Sequence, residues 1–88
     1  MLENKMPTQD DWRRQGQVTY LRSVKLVLKD YQPYRAGWDH DHCEFCGSRF
    51  SLDGDDIRKG YSTEDRYHWI CIDCFNDFKS EFSWQIEK

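Results

Sequence analysis

The sequence has no apolar run approaching the roughly 18 residues that a membrane-crossing helix needs, so no membrane span is expected. Residues 1–9 contain no apolar core, so no secretory signal is expected and a cytoplasmic location follows as the expectation. Excess positive charge is also missing: 13 Lys and Arg stand against 16 Asp and Glu, for a formal net charge of −3. The broad basic surface usual in nucleic-acid binders is therefore not expected. With two prolines, no low-complexity stretch and no long linker, nothing divides the 88 residues into separate domains. No internal repeat exceeds a pair of cysteines spaced by two residues. Aliphatic side chains are scarce, and a chain this short buries only a modest core, so a staple is called for.

What the chain has in quantity is aromatic. Four Trp, five Tyr and five Phe make up 16% of the residues, which predicts a thin core of large rings supplemented by a metal or by disulfides. Four cysteines are present, as Cys43-Glu44-Phe45-Cys46 and Cys71-Ile72-Asp73-Cys74, with 24 residues between the pairs. Two residues between cysteines let one tight turn aim both sulfurs at a single ion. Gly47, directly after Cys46, relieves crowding where such a turn needs an unusual backbone angle. Two such turns supply the four thiolates of a tetrahedral zinc site, with equal spacing in both pairs and no cysteine left over. One structural Zn2+ held by Cys43, Cys46, Cys71 and Cys74 is the resulting expectation. Two disulfides, with three connectivities, and an iron–sulfur cluster are the competing uses of the same residues. A thioredoxin-like redox pair needs a βαβ unit that this chain is too short to supply.

The surrounding pattern predicts an α+β fold. Pro7-Thr8-Gln9-Asp10-Asp11 reads as a helix start, with Thr8 as cap, Asp11 completing a capping-box-like pattern and two acids suiting the helix dipole. Gly16 should weaken or kink that helix. The first five residues are expected to fray. Residues 17–29 fit both a helical face and strand alternation, and the reading adopted is helix to about Arg22, then strand over Ser23 to Tyr31. Turns are marked at Pro33, Gly37, Gly47 and Asp53-Gly54-Asp55-Asp56. Tyr61-Ser62 and Tyr67-His68-Trp69-Ile70, flanking Thr63-Glu64-Asp65-Arg66, read as an antiparallel hairpin. Phe75, Phe78 and Phe82 recur at helical spacing after Cys74, giving a C-terminal amphipathic helix with Asp73 in its first turn and Trp84 and Ile86 extending its apolar contact. A turn bearing the first pair, a hairpin, and a helix opened by the second pair is the layout of a treble-clef zinc finger. A plain zinc ribbon would place a strand after the second pair. The predicted unit is a single zinc-binding domain over residues 1–88, with a helix and strand at 8–31 and a zinc module at 38–86.

Asp39-His40-Asp41-His42 immediately precedes Cys43. In an extended segment the two histidines share one side and the two aspartates the other. They read as polar residues around a complete four-cysteine site, with replacement of a cysteine ligand by a histidine, or a catalytic metal site, as alternatives. The run resembles one found in His–metal endonucleases of the recombination-endonuclease type, where a histidine activates water and a metal holds the phosphate. There it lies between the cysteine pairs; here it lies before the first. The expected asparagine is matched only by Asn76, two residues past Cys74. His68, between Tyr67 and Trp69, reads as packed or hydrogen-bonded. Asp53, Asp55 and Asp56 lack the spacing and terminal Glu of a calcium loop and read as a solvated turn.

Asp11-Trp12-Arg13, Gln17, Tyr20-Leu21, Trp38 through Cys46, Gly60 through Asp65, Trp69 through Cys71 and Cys74 through Phe78 together resemble a family of small, uncharacterised bacterial proteins. These carry a DHDHCEFC motif and a second C-x2-C pair. The resemblance implies a bacterial, cytosolic, zinc-binding protein and no particular activity. The function expected from the residues themselves is a zinc-stabilised interaction module without enzymatic activity, its partner another protein or a copy of itself. Trp12, Tyr34, Trp38 and Trp84 are the candidate contact residues, being near chain ends or loops. The alternatives are a nucleic-acid-binding zinc finger using Arg13, Arg14, Arg22, Lys25 and Lys29, or a metal-dependent nuclease or hydrolase using Asp39 to His42.

Overall fold

A computed structural model describes residue 8 and residues 10–87. The expectations of a frayed N-terminus and of a helix start at Pro7 and Gln9 fall outside the described residues. The elements in chain order are α1 (Val18–Leu21), β1 (Lys25–Asp30), β2 (Asp41–His42), β3 (Arg49–Phe50), β4 (Lys59–Ser62), β5 (Trp69–Ile70), α2 (Ile72–Phe82) and β6 (Gln85–Glu87).

The N-terminal helix is far shorter than expected, and its chemistry explains why. Asp11 does not serve as a capping-box acid; its Oδ1 accepts from the backbone N–H of Arg13, 2.9 Å away, and from Arg13 Nε. Thr8 Oγ1 donates to Asp10 rather than capping a helix. Such local side-chain bonds offer the backbone an alternative to the helical ladder. Gly16 then takes φ +93, outside the right-handed helical region, and the helix begins only at Val18.

Four strands form one sheet in the order β5-β4-β1-β6. β1 pairs antiparallel with β4, placing Leu28 opposite Tyr61, and β4 pairs antiparallel with β5, placing Tyr61 opposite Ile70. β6 joins the far side of β1 in parallel, a strand that the extended apolar contact expected of Trp84 and Ile86 did not specify. The strand from the N-terminal part is thus enclosed by strands of the cysteine-bearing part. A separate two-stranded hairpin, β2–β3, carries the first cysteine pair at its turn.

α2 is amphipathic as its spacing predicts: Cys74, Phe75, Phe78 and Phe82 are buried. Phe75 stacks on Tyr61 of the sheet at 3.7 Å between ring centroids. Ser83 ends the helix in the left-handed region, and the Phe82 carbonyl is met by the N–H of Ser23 at 2.8 Å. Trp84 packs back on Phe75 and Phe82 and donates Nε1–H to the Leu21 carbonyl at 2.8 Å. Trp84, one of the candidate contact residues, is therefore drawn against the core and left half-buried. On the other side of the sheet Phe50 and Tyr31 close over Trp69, all three buried. The core is the aromatic one that the composition implied.

Candidate metal centre

The two cysteine pairs come from dissimilar elements. Cys43 and Cys46 sit on the turn joining β2 to β3. Cys43 N–H donates to Ser48 O at 2.8 Å and Gly47 N–H to Cys43 O at 3.1 Å, closing the turn. Gly47 adopts φ +80, the left-handed angle for which its glycine was singled out. Glu44 N–H reaches Trp69 O at 2.9 Å and docks the turn on β5. Phe45, between the cysteines, stacks on Phe78 at 4.6 Å between centroids, which pins the turn to the helix. Cys71 is the N-cap of α2 and its sulfur accepts from Cys74 N–H at 3.5 Å, doing with a thiol what Ser or Asp usually does. Cys74 follows in the first turn.

The result is one cluster: the Sγ atoms of Cys43, Cys46, Cys71 and Cys74 all lie within 4.8 Å of one another. Cys46 Sγ and Cys71 Sγ are 3.7 Å apart. A tetrahedron with metal–sulfur bonds of about 2.3 Å has sulfur–sulfur edges of about 3.8 Å. None of the four cysteines is in a disulfide. Cys43, Cys71 and Cys74 are buried, and Cys46 is half-buried.

Charge on this cluster is met from three directions. The N–H groups of Phe45 and Cys71 both point at Cys43 Sγ, at 3.4 and 3.3 Å. The N-terminal end of α2 presents its dipole to the sulfurs. Arg13 Nη1 lies 3.5 Å from Cys74 Sγ. Hydrogen bonds from the Cys71 and Cys74 side chains hold the Cys43 thiol far below its ordinary range. The same contact with Cys43 pushes Cys71 up to about 12 and raises Cys74 further still. One thiolate forms readily at Cys43, and Cys71 and Cys74, whose thiols donate to it, resist losing their protons. A divalent cation among the four reverses that resistance. The donor set, spacing and burial therefore fit a metal ion.

The sequence marks Arg13 through the basic bias and the family resemblance; the structure makes it part of the centre's surroundings. Its guanidinium also meets Asp11 at 2.8 Å and Asp77 at 2.9 Å and lies over the Phe78 ring. Those hydrogen bonds hold Asp11 down at about 2. Arg14 pairs with Glu81 at 2.7 Å. Gln17 is fully buried, and its Nε2 donates to the carbonyls of Arg13 and Glu44, both at 2.8 Å, tying the N-terminal segment to the cysteine turn. No spacing rule marks Arg13 or Gln17, since their partners lie far off in sequence.

The other singled-out residues lie outside the cluster. Asp41 Oδ2 accepts from Tyr31 Oη and Trp38 Nε1, and His42 Nδ1 faces Gly47 O. Neither His40 nor His42 joins the four sulfurs. His68 bonds to Glu44 at 2.8 Å and packs against Tyr20 and Tyr67. Asp56 serves Ser51 and Arg49. Among the described residues no helix is long and apolar enough to cross a membrane.

No protein-family model matches the chain, and neither a curated protein nor a solved structure matches it significantly. The function must be read from the centre and its surroundings.

Proposed function

We propose that the four cysteines hold one structural zinc ion in a treble-clef-like domain, and that the domain is a protein-interaction module without enzymatic activity. The carrying observation is the completeness of the cluster. Four sulfurs within 4.8 Å of one another are enough to fill the shell of a zinc ion and leave no position for a water nucleophile, which is what separates structural from catalytic zinc sites. A knuckle-like turn with the first pair, the β4–β5 hairpin, and a helix opened by the second pair support the treble-clef reading.

The surface beside the centre supports an interaction role. A cleft of about 480 Å³ opens at the centre itself, lined by Cys46, Cys71 and Cys74 together with Trp12, Ile57, Lys59 and Ile72. Trp12 is 66% exposed, far more than a core tryptophan, and large exposed aromatics are typical anchors of protein contacts. The partner is a protein chain, a different one or a second copy. The nucleic-acid alternative is weakened because Arg13 and Arg14 are engaged by Asp11, Asp77 and Glu81.

Two measurements test this. Metal analysis of tag-free protein should give one zinc per chain, with cobalt substitution showing the absorption of a tetrathiolate site. Affinity purification from the native host in zinc-containing buffer, together with sedimentation of the pure protein, should yield a protein partner or self-association that Trp12→Ala abolishes. A metal-free folded protein overturns the zinc assignment, and a partner held equally by Trp12→Ala overturns the contact surface.

A further inference from the structure

The Asp39-His40-Asp41-His42 segment takes no part in the cysteine cluster, yet its side chains are ordered with respect to one another. The two histidines, two residues apart at the start of β2, bring their rings together edge to face with centroids 4.9 Å apart. Asp41 is committed elsewhere, held by Tyr31 and Trp38.

Each imidazole is anchored through one nitrogen. His42 Nδ1 lies 3.0 Å from the Gly47 carbonyl, which only accepts, so Nδ1 carries the proton. His40 Nδ1 lies 3.0 Å from Asp39 Oδ1, and an ionised carboxylate likewise only accepts. In the neutral rings the lone pair therefore resides on Nε2. Among the described residues neither Nε2 has a hydrogen-bond partner. The His40 side chain is 34% exposed, and His42 is exposed as well.

Nδ1–H fixed by a carboxylate or a carbonyl, with Nε2 left open, is the arrangement shown by metal-bound histidines. Imidazole nitrogen suits borderline divalent ions of the transition series. The cation nearest in register, Arg49 opposite His42, is drawn to Asp56 at 3.0 Å.

We propose that His40 and His42 form a second metal site, separate from the four cysteines, which binds a borderline divalent ion such as Zn2+, Ni2+ or Cu2+ through their two Nε2 atoms. Its other coordination positions are open to water or to a donor from outside the chain. The site does not depend on the interaction role proposed above.

The test uses full-length, tag-free protein already holding its first zinc equivalent, with Ni2+ as the probe in calorimetry. The wild type should bind one further equivalent. His40→Ala and His42→Ala should each weaken that binding by at least about 10-fold, and the double variant should abolish it. Asp39→Asn, which alters only the group orienting His40, should weaken it by about 10-fold, in the range found for such outer partners. Zinc content and thermal melting of each variant should match the wild type, which keeps loss of this site distinguishable from loss of the cysteine centre or of the fold. No second equivalent in the wild type, equal uptake by the double variant, or Ni2+ displacing the first zinc with sulfur-to-nickel absorption would each overturn the proposal.

Discussion

Arg13 Nη1 is shared between Cys74 Sγ, 3.5 Å away, and the Asp77 carboxylate at 2.9 Å, while Asp11 accepts from Nε and Nη2 of the same guanidinium. A tetrathiolate zinc centre carries a net charge of −2, so a positioned cation beside one sulfur lowers the cost of assembling it, and the two carboxylates fix where that cation sits. Arg13→Ala should weaken zinc affinity by about 10- to 100-fold, the usual cost of losing an outer partner of a metal ligand. Arg13→Lys should restore little, because one ammonium cannot meet Asp11, Asp77 and Cys74 together. Competition against a chromophoric chelator measures this directly. Affinities within twofold of wild type in both variants would show the contact to be incidental.

Zinc removal should cost more than losing any single side chain outside the four cysteines. The turn at Cys43–Cys46 and the start of α2 are joined at the sulfurs, and metal-binding energy of that kind is folding energy. A strong chelator, Cys43→Ser or Cys74→Ser should each melt α2 and the β2–β3 hairpin. Circular dichroism should register loss of helical signal, and near-ultraviolet signal from Trp69 and Trp84 should collapse. A melting curve indifferent to chelator would contradict the structural role.

Much of this centre was readable from spacing alone, because a C-x2-C turn and a helix start impose their own local geometry. The same holds for the β4–β5 hairpin and for the stripe of Phe75, Phe78 and Phe82, whose periods are local. The N-terminal segment was misread for a physical reason. Asp11 and Thr8 suit a helix start, but Asp11 is spent on Arg13, whose other partners lie 61 and 64 residues onward. Nearness to the chain end makes Trp84 a candidate contact residue, and nothing local shows where it turns. The left-handed turn at Ser83 folds it back over Phe75 and sends Gln85–Glu87 alongside β1. Long-range pairings of this kind leave no periodic trace in a single sequence.

Ser83 itself offers a stabilising change. Its φ of 54 places a residue with a Cβ in the left-handed region, where a non-glycine residue is penalised by about 1 kcal/mol or more. It is exposed, and helices commonly end on glycine at this conformation. Ser83→Gly should raise unfolding free energy by about 0.5–1 kcal/mol in zinc-saturated protein, and Ser83→Val should lower it. Urea denaturation followed by tryptophan fluorescence tests both, and a Gly variant less stable than wild type would show that Ser83 supplies a contact that outweighs its strain.

Gly60 is the opposite case, a glycine required by space rather than by angle. It lies in β4 opposite Lys29, and a Cβ placed there would fall 2.7 and 2.8 Å from Phe50 Cε2 and Cζ and 2.9 Å from the Ile70 carbonyl oxygen. Neither neighbour can retreat easily. Phe50 is fully buried against Tyr31 and Trp69, and Ile70 belongs to the β4–β5 ladder. Gly60→Ala should therefore destabilise by about 1–3 kcal/mol through overpacking, even though alanine normally improves on glycine in a strand. Phe50→Leu removes the ring but not the carbonyl contact. In the double variant the alanine should cost less than in wild type, with a coupling of about 0.5–2 kcal/mol. Denaturant melts of the four proteins at saturating zinc measure it. An additive cycle would place the strain at the Ile70 backbone, and a neutral Gly60→Ala would mean that the sheet shifts to admit the methyl group.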